Sequence, residues 1–194
     1  MVRETSVVTP ERFASGFTYR EYVDQIKVNK SWFEKLYDSF HLADEDAEFF
    51  RHAAEQAGGP AKMMVIGEDW CPDVYRGMPV AARIAEAGGF EMRVFPRDSH
   101  MDIMNEFLKE GKYASIPAVV FYTGDHEYID HWIERPAVAE REMDEIQERV
   151  KRENPDADEQ RVRALARPLN QERFGEWMRH SVSEIRTMLS KHLS

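Results

Sequence analysis

The apolar run Met63–Ile66 and the segment Trp70–Val74 just after it constrain the fold of this chain more than any other feature. The run is typical of a buried strand, and a helical pattern follows it from Asp73 to Ala87. Cys71, the only cysteine among the 194 residues, therefore lies at a strand-to-helix junction. At such a junction, free backbone N–H groups and the helix dipole favour a thiolate.

The pattern of strands and helices continues along the middle of the chain. Strands are predicted over 90–95, 117–122 and 128–133, with helices from Ser99 or His100 through Leu108 and from Pro136 to about residue 153. The resulting order over 62–152 is β-α-β-α-β-β-α. It predicts a parallel βαβ unit followed by an antiparallel hairpin, and hence a mixed sheet covered by helices on both faces.

Both ends of the chain have helical patterns. Residues 1–60 are predicted to be a helical extension packed on a core at 61–153, and 154–194 a second helical extension. In the latter, an apolar stripe recurs at helical spacing: Phe174, Trp177, Met178, Val182, Ile185 and Leu189. This stripe suits docking on the domain or on a second subunit, which would make a homodimer. A membrane-surface helix is disfavoured because acidic residues dilute its polar face.

Composition excludes several classes of protein. A net charge of -10 argues against nucleic-acid binding, which needs clustered Lys and Arg. No apolar stretch approaches the roughly 20 residues that span a bilayer, and Met1–Thr5 do not begin a secretory signal. A single cysteine forms no internal disulfide and no multi-cysteine zinc site, so we expect a cytoplasmic protein.

Four segments carry a resemblance to a known family. Trp70-Cys71-Pro72-Asp73 stands where thioredoxins have Trp-Cys-x-x-Cys, and Ser115-Ile116-Pro117 stands where they have a cis-proline loop. Together with Phe95–Asp98 and Trp132–Pro136, they resemble a bacterial thioredoxin-like family with a helical N-terminal extension. The resemblance implies an α/β, thioredoxin-like fold: a central mixed sheet flanked by helices, with helical N- and C-terminal extensions. Val74 is a departure, because it replaces the second cysteine.

Opposing influences act on the candidate nucleophilic thiol of Cys71. Backbone N–H groups in the first helical turn, toward Val74, lower a thiol pKa. Glu68, Asp69 and Asp73 are nearby acids, which raise it. The resemblance implies that a cis peptide before Pro117 lets the Ile116 backbone pair with a peptide or with glutathione beside Cys71.

Two functional hypotheses follow. In the first, Cys71 is a monothiol redox site that exchanges mixed disulfides with a protein or small-thiol partner. In the second, the chain is a non-catalytic binding module with a thioredoxin fold. The candidate binding residues are Trp70, Pro72, Asp73, Val74, Ile116, Pro117 and Arg97.

The remaining candidate residues are given structural roles. We expect no cofactor and no metal, with Asp98, His100 and Asp102 serving as helix caps and solvated charges rather than as ligands. Arg135 is expected to pair with Asp69 or Glu68.

Overall fold

The computed structural model describes residues 6–193, and the prediction on Met1–Thr5 lies outside these residues. In chain order the described elements are α1 Pro10–Ala14, α2 Tyr19–Gln25, α3 Lys30–Ser39, α4 Asp44–Glu55, β1 Lys62–Gly67, α5 Pro72–Gly88, β2 Glu91–Pro96, a 3-10 turn Arg97–Ser99, α6 Met101–Met104, β3 Ala118–Tyr122, β4 Tyr128–Ile133, α7 Ala137–Glu153, α8 Glu159–Glu172 and α9 Phe174–His192.

The strands within residues 6–193 form one four-stranded mixed sheet in the order β2-β1-β3-β4. β1 pairs with β2 in parallel and with β3 antiparallel, and β3 pairs with β4 antiparallel. The predicted parallel unit and the predicted hairpin are therefore both confirmed. Cys71 follows the carboxyl end of β1, a central strand of the sheet.

Both faces of the sheet are covered, which explains why β1 is apolar without alternation. On one face, Gly67 approaches Val74 and Met78 of α5 so closely that a Cβ would lie 2.7 Å from a Val74 methyl carbon. On the other face, Tyr122 packs its ring against Phe13 of α1. The sheet is thus the middle layer of a three-layer α/β fold.

The terminal helices contribute to the same hydrophobic core as the sheet. Local capping begins two of them: Thr9 accepts from the Arg12 N–H at α1, and Thr18 forms a capping box with Glu21 at α2. Phe33 and Phe50, from α3 and α4, are fully buried. The division into 1–60, 61–153 and 154–194 stays a prediction about where the extensions begin.

The C-terminal stripe is buried within the chain itself. Its residues, from Phe174 to Leu189 along α9, belong to the main core and pack near α5, α4 and β4. This stripe is therefore unavailable to a second subunit. No helix in residues 6–193 combines the length and the apolarity needed to cross a membrane.

The predicted helix from residue 99 or 100 through Leu108 is wrong in extent. α6 ends at Met104, and the next hydrogen bonds tighten to three-residue spacing, from Glu106 N to Ile103 O and from Phe107 N to Met104 O. Glu110 and Gly111 then adopt positive φ. The Glu106 carboxylate also accepts hydrogen bonds from Ser6 and Val7, so contacts distant in sequence override the local helical pattern.

Candidate functional site

Cys71 lies at the N-cap of α5, and its sulfur is turned inward. The residue is 9% exposed. Its Sγ donates a weak hydrogen bond to the carbonyl oxygen of Ile116 at 3.8 Å. A thiol that donates is a protonated thiol, so this contact favours the neutral form of the sulfur.

The loop that faces Cys71 carries the Ile116–Pro117 peptide bond, which is cis. The loop approaches α5 closely at Gly77, where a Cβ would lie 3.0 Å from Cγ of Pro117. A larger residue at this position would push the loop away from the helix. Within residues 6–193, no protein acceptor is paired with the N–H of Ile116, the residue whose carbonyl oxygen lies beside the thiol.

The pKa of the Cys71 thiol is raised above its ordinary value. Burial is the main cause, and the negative charge of Asp73 adds to it. The backbone N–H groups of Val74 and Asp73 and the positive charge of Arg135 act in the opposite direction without reversing the shift. The predicted helix-start effect is therefore present, but desolvation outweighs it.

Asp73 is a buried carboxylate between two guanidinium groups. Its Oδ1 lies 2.6 Å from Nη2 of Arg76, and its Oδ2 lies 2.8 Å from Nη2 of Arg135. Arg135 also pairs with Glu134 at 2.5 Å, and Glu134 with Lys109 at 2.7 Å. The first helical turn beside Cys71 thus forms one end of a chain of alternating charges.

The predicted pairing of Arg135 with Asp69 or Glu68 is wrong. Asp69 instead accepts the backbone N–H groups of Lys27 and Val28, and Glu68 accepts that of Asp98 at 2.7 Å. These carboxylates anchor neighbouring loops. Asp73 takes both arginines because it is buried, and a buried charge needs close partners.

Arg76 is the most deeply buried charge of the site, with 1% exposure. Its guanidinium lies 5.3 Å from the ring centre of Trp177 and 5.7 Å from that of Phe174, both on α9. Burial lowers its pKa while Asp73 opposes the shift, and the group stays charged because a guanidinium is not deprotonated in proteins. The C-terminal helix therefore covers this charge with aromatic rings.

A second tryptophan marks the outer side of the same junction. Trp70 is 48% exposed, and the guanidinium of Arg97 lies 5.1 Å from its ring centre. Arg97 pairs with Asp98 and donates to the carbonyl of Ala114, which ties the turn after β2 to the loop before Pro117.

Three more exposed apolar side chains belong to segments that lie next to these contacts in the chain. Val28 is on the loop that Asp69 anchors, Met101 follows the Arg97–Ser99 turn, and Tyr113 precedes Ala114. We call the surface of Val28, Trp70, Arg97, Met101 and Tyr113 the Trp70 face. An exposed apolar group of this kind is typical of a contact surface.

The structure separates the predicted site residues into accessible and buried ones. Trp70 and Pro72 are exposed near Cys71, and Arg97 joins Trp70. Asp73 and Ile116 are buried. The negative charge of Asp73 raises the pKa of the thiol, and the carbonyl oxygen of Ile116 accepts its hydrogen bond. The side chain of Val74 is wholly buried against Gly67, so only its backbone N–H acts on the thiol of Cys71.

Sequence reasoning missed the roles of Arg76 and Gly77. The i, i+3 spacing from Asp73 to Arg76 on an otherwise apolar helix was a usable signal for the buried pair. Gly77 gave no signal, because its function depends on a loop 40 residues away in the chain.

The residues weighed as metal ligands have other partners. Asp98 pairs with Arg97, Asp102 with Arg12 at 2.5 Å, and His100 Nδ1 lies 2.8 Å from the carbonyl of Pro96. Across residues 6–193, no group of three or more His, Cys, Asp or Glu side chains is arranged to hold a metal ion.

Comparison with solved structures finds the same fold elsewhere. A protein of unknown function from Pseudomonas aeruginosa matches with a TM-score of 0.64 and 14% identity, over 95% of this chain and 98% of that one. An HIV epitope scaffold matches with a TM-score of 0.64 and 14% identity, over 96% and 99%. At this identity the likeness concerns the fold alone.

The sequence comparisons place the chain in a family. No curated protein sequence shows significant similarity to it. A family model described as thioredoxin matches residues 16–161, which include β1, the Cys71 junction, the Pro117 loop and β4. The chain belongs to the thioredoxin family.

Proposed function

We propose that this protein is a non-catalytic binding module with a thioredoxin fold, whose Trp70 face docks an extended segment of a partner protein. The observation that carries the proposal is the contrast at the junction: the sulfur of Cys71 is 9% exposed, whereas Trp70 beside it is 48% exposed. The sulfur at the position where thioredoxins carry a reactive cysteine is thus buried, while the apolar Trp70 side chain next to it is exposed to solvent.

Charge and hydrogen bonding support the same conclusion. The raised pKa of Cys71 leaves it largely protonated at neutral pH, and only the thiolate is an effective nucleophile. With a single cysteine in the chain, a mixed disulfide would have no internal resolving thiol. Binding requires neither a thiolate nor a second thiol.

The proposed partner is an extended peptide segment with apolar side chains. The N–H of Ile116 offers a backbone hydrogen bond of the type made between strands, and the Trp70 ring offers a surface for an aromatic or aliphatic side chain. We propose a cytoplasmic setting, where a lone thiol stays reduced. A homodimer through the terminal helices is not part of the proposal.

A peptide library displayed on phage tests this function. We expect the wild-type protein and a Cys71→Ser variant to enrich the same apolar or aromatic motif, and a Trp70→Ala variant to lose it. Phe17→Ala is the matched control, because Phe17 is also a partly exposed aromatic residue but pairs with Val94 at the β2 edge. Loss of enrichment in Cys71→Ser, or its retention in Trp70→Ala, would contradict the proposal.

Monothiol exchange is the second candidate, favoured by the N–H groups of Asp73 and Val74 and by Arg135, which act on the thiolate. In this reaction the Cys71 thiolate attacks a disulfide, forms a mixed disulfide and releases one thiolate, and an external thiol then frees Cys71. The rate of alkylation by iodoacetamide against pH separates the two candidates. An inflection above the ordinary thiol pKa, with no glutathione adduct detected by mass after oxidised glutathione, supports binding; an inflection well below it, with the adduct, supports exchange.

A further inference from the structure

A cavity of about 310 Å³ lies between α5, α7, α8 and α9, and none of its lining residues belongs to the Trp70 face. Its polar lining includes Arg76, Gln147, Arg163, Arg167 and Asn170. Tyr75, Phe174 and Trp177 supply aromatic walls. This volume is at the lower end of the roughly 300–1,000 Å³ that is usual for small-molecule sites.

Two polar atoms of the lining residues are buried without a partner. Within residues 6–193, neither Nε of Arg76 nor Oδ1 of Asn170 makes a hydrogen bond, and both atoms are inaccessible to solvent. An unpaired buried donor or acceptor costs about 1–3 kcal/mol. A ligand that accepts from a guanidinium and donates to an amide oxygen would complement this pair.

The side chains that line the cavity carry a net positive charge, whereas the chain as a whole is negative. Arg163 and Arg167 are four residues apart on α8 and face the cavity together, one turn above the other. Arg163 pairs with the exposed Glu159 at 3.2 Å, and Asp73 is already shared by Arg76 and Arg135. Three arginines against one lining carboxylate make the cavity a positive site in a chain with a net charge of -10.

From these features we propose that the cavity binds a small carboxylate that carries an aromatic or aliphatic body and an N–H donor, the chemistry of an N-acylated amino acid. The exposed guanidinium groups of Arg163 and Arg167 receive the carboxylate, because their paired N–H donors match its two oxygens. The aromatic walls take the apolar body, and Asn170 accepts the N–H. The site is distinct from the proposed peptide-binding face and does not use the thiol of Cys71.

Isothermal titration calorimetry with N-acetyl-L-phenylalanine tests the proposal. We expect saturable binding about tenfold tighter than that of the corresponding carboxamide, because the neutral amide lacks the charge-assisted hydrogen bonds. The double variant Arg163→Gln/Arg167→Gln should remove this preference. Both residues are exposed, so their replacement should leave the fold intact.

The matched control is Arg152→Gln/Arg161→Gln, which removes the same charge from exposed positions outside the cavity lining. It should keep the affinity for the carboxylate within about twofold. Equal affinity for acid and amide, equal loss in both double variants, or no saturable binding overturns the proposal. Tighter binding of phenyl phosphate than of the carboxylate overturns the assigned ligand class.

Discussion

Two tryptophan–arginine pairs flank the start of α5, and their geometry is almost the same. Arg97 lies 5.1 Å from the ring centre of Trp70, and Arg76 lies 5.3 Å from that of Trp177. The first pair is partly open to solvent, whereas Arg76 and Trp177 are 1% and 0% exposed. The same contact therefore leaves a surface available on one side and supports the core on the other. Burial, rather than the contact, decides the role of each pair.

The largest expected effect comes from removing the carboxylate of the buried pair. Asp73→Ala leaves the Arg76 guanidinium without its counter-charge, and we expect a loss of about 3–5 kcal/mol in the free energy of unfolding. Asp98→Ala, which removes the corresponding carboxylate from Arg97, should cost less than about 1 kcal/mol. Urea unfolding measures both changes, and equal losses would show that burial does not distinguish the pairs.

Replacing the buried Trp177 should also lower the free energy of unfolding more than replacing the exposed Trp70. Trp177→Phe removes the hydrogen bond from Nε1 to Glu142 and leaves a small void, for an expected loss of about 1–3 kcal/mol. Trp70→Phe should change the free energy of unfolding by no more than about 0.5 kcal/mol, since its ring is half exposed. Thermal unfolding followed by far-UV circular dichroism is suitable. A larger loss for Trp70→Phe would contradict the comparison.

The buried charges should also set the pKa of the Cys71 thiol. Asp73→Asn removes a negative charge and should lower that pKa, whereas Arg135→Gln removes a positive charge and should raise it. Each full pKa unit is about 1.4 kcal/mol of differential interaction. The pH dependence of iodoacetamide alkylation reports the shifts. Glu68→Gln is the control, because the Glu68 carboxylate accepts a hydrogen bond from the backbone N–H of Asp98. A change in the Cys71 pKa as large as that caused by Asp73→Asn would argue against a specific role for Asp73.

The smallest expected effect is the pH dependence of stability. The folded state holds the Cys71 proton more tightly than the unfolded state, so its stabilisation is complete below the unfolded thiol pKa of about 8.5. It should decline as pH rises through the folded-state pKa. The difference in unfolding free energy between wild type and Cys71→Ser, measured from neutral to alkaline pH, should shrink accordingly. A difference that grows with pH would reverse the sign of the shift.

Much of the fold was predictable because its signals are local. The strand at 128–133 has the predicted bounds, and β1, β2 and β3 begin or end within a residue of prediction. The helix after residue 99 was overestimated because Glu106 is held by residues of the N-terminal segment. The partner of Arg135 was wrong for a related reason: three acids near Cys71 look alike in sequence, and only their burial differs.

The amino-acid sequence alone places a single thiol at the strand-to-helix junction, lacks a second thiol, and predicts a mixed sheet. These properties follow from residue identity, spacing and periodicity. Packing adds that the thiol is buried with a raised pKa, that Asp73 pairs with two arginines, and that α8 and α9 help to enclose a positive cavity. Desolvation and charge pairing depend on which distant segments exclude water from a group, and that information exists only once the chain is packed.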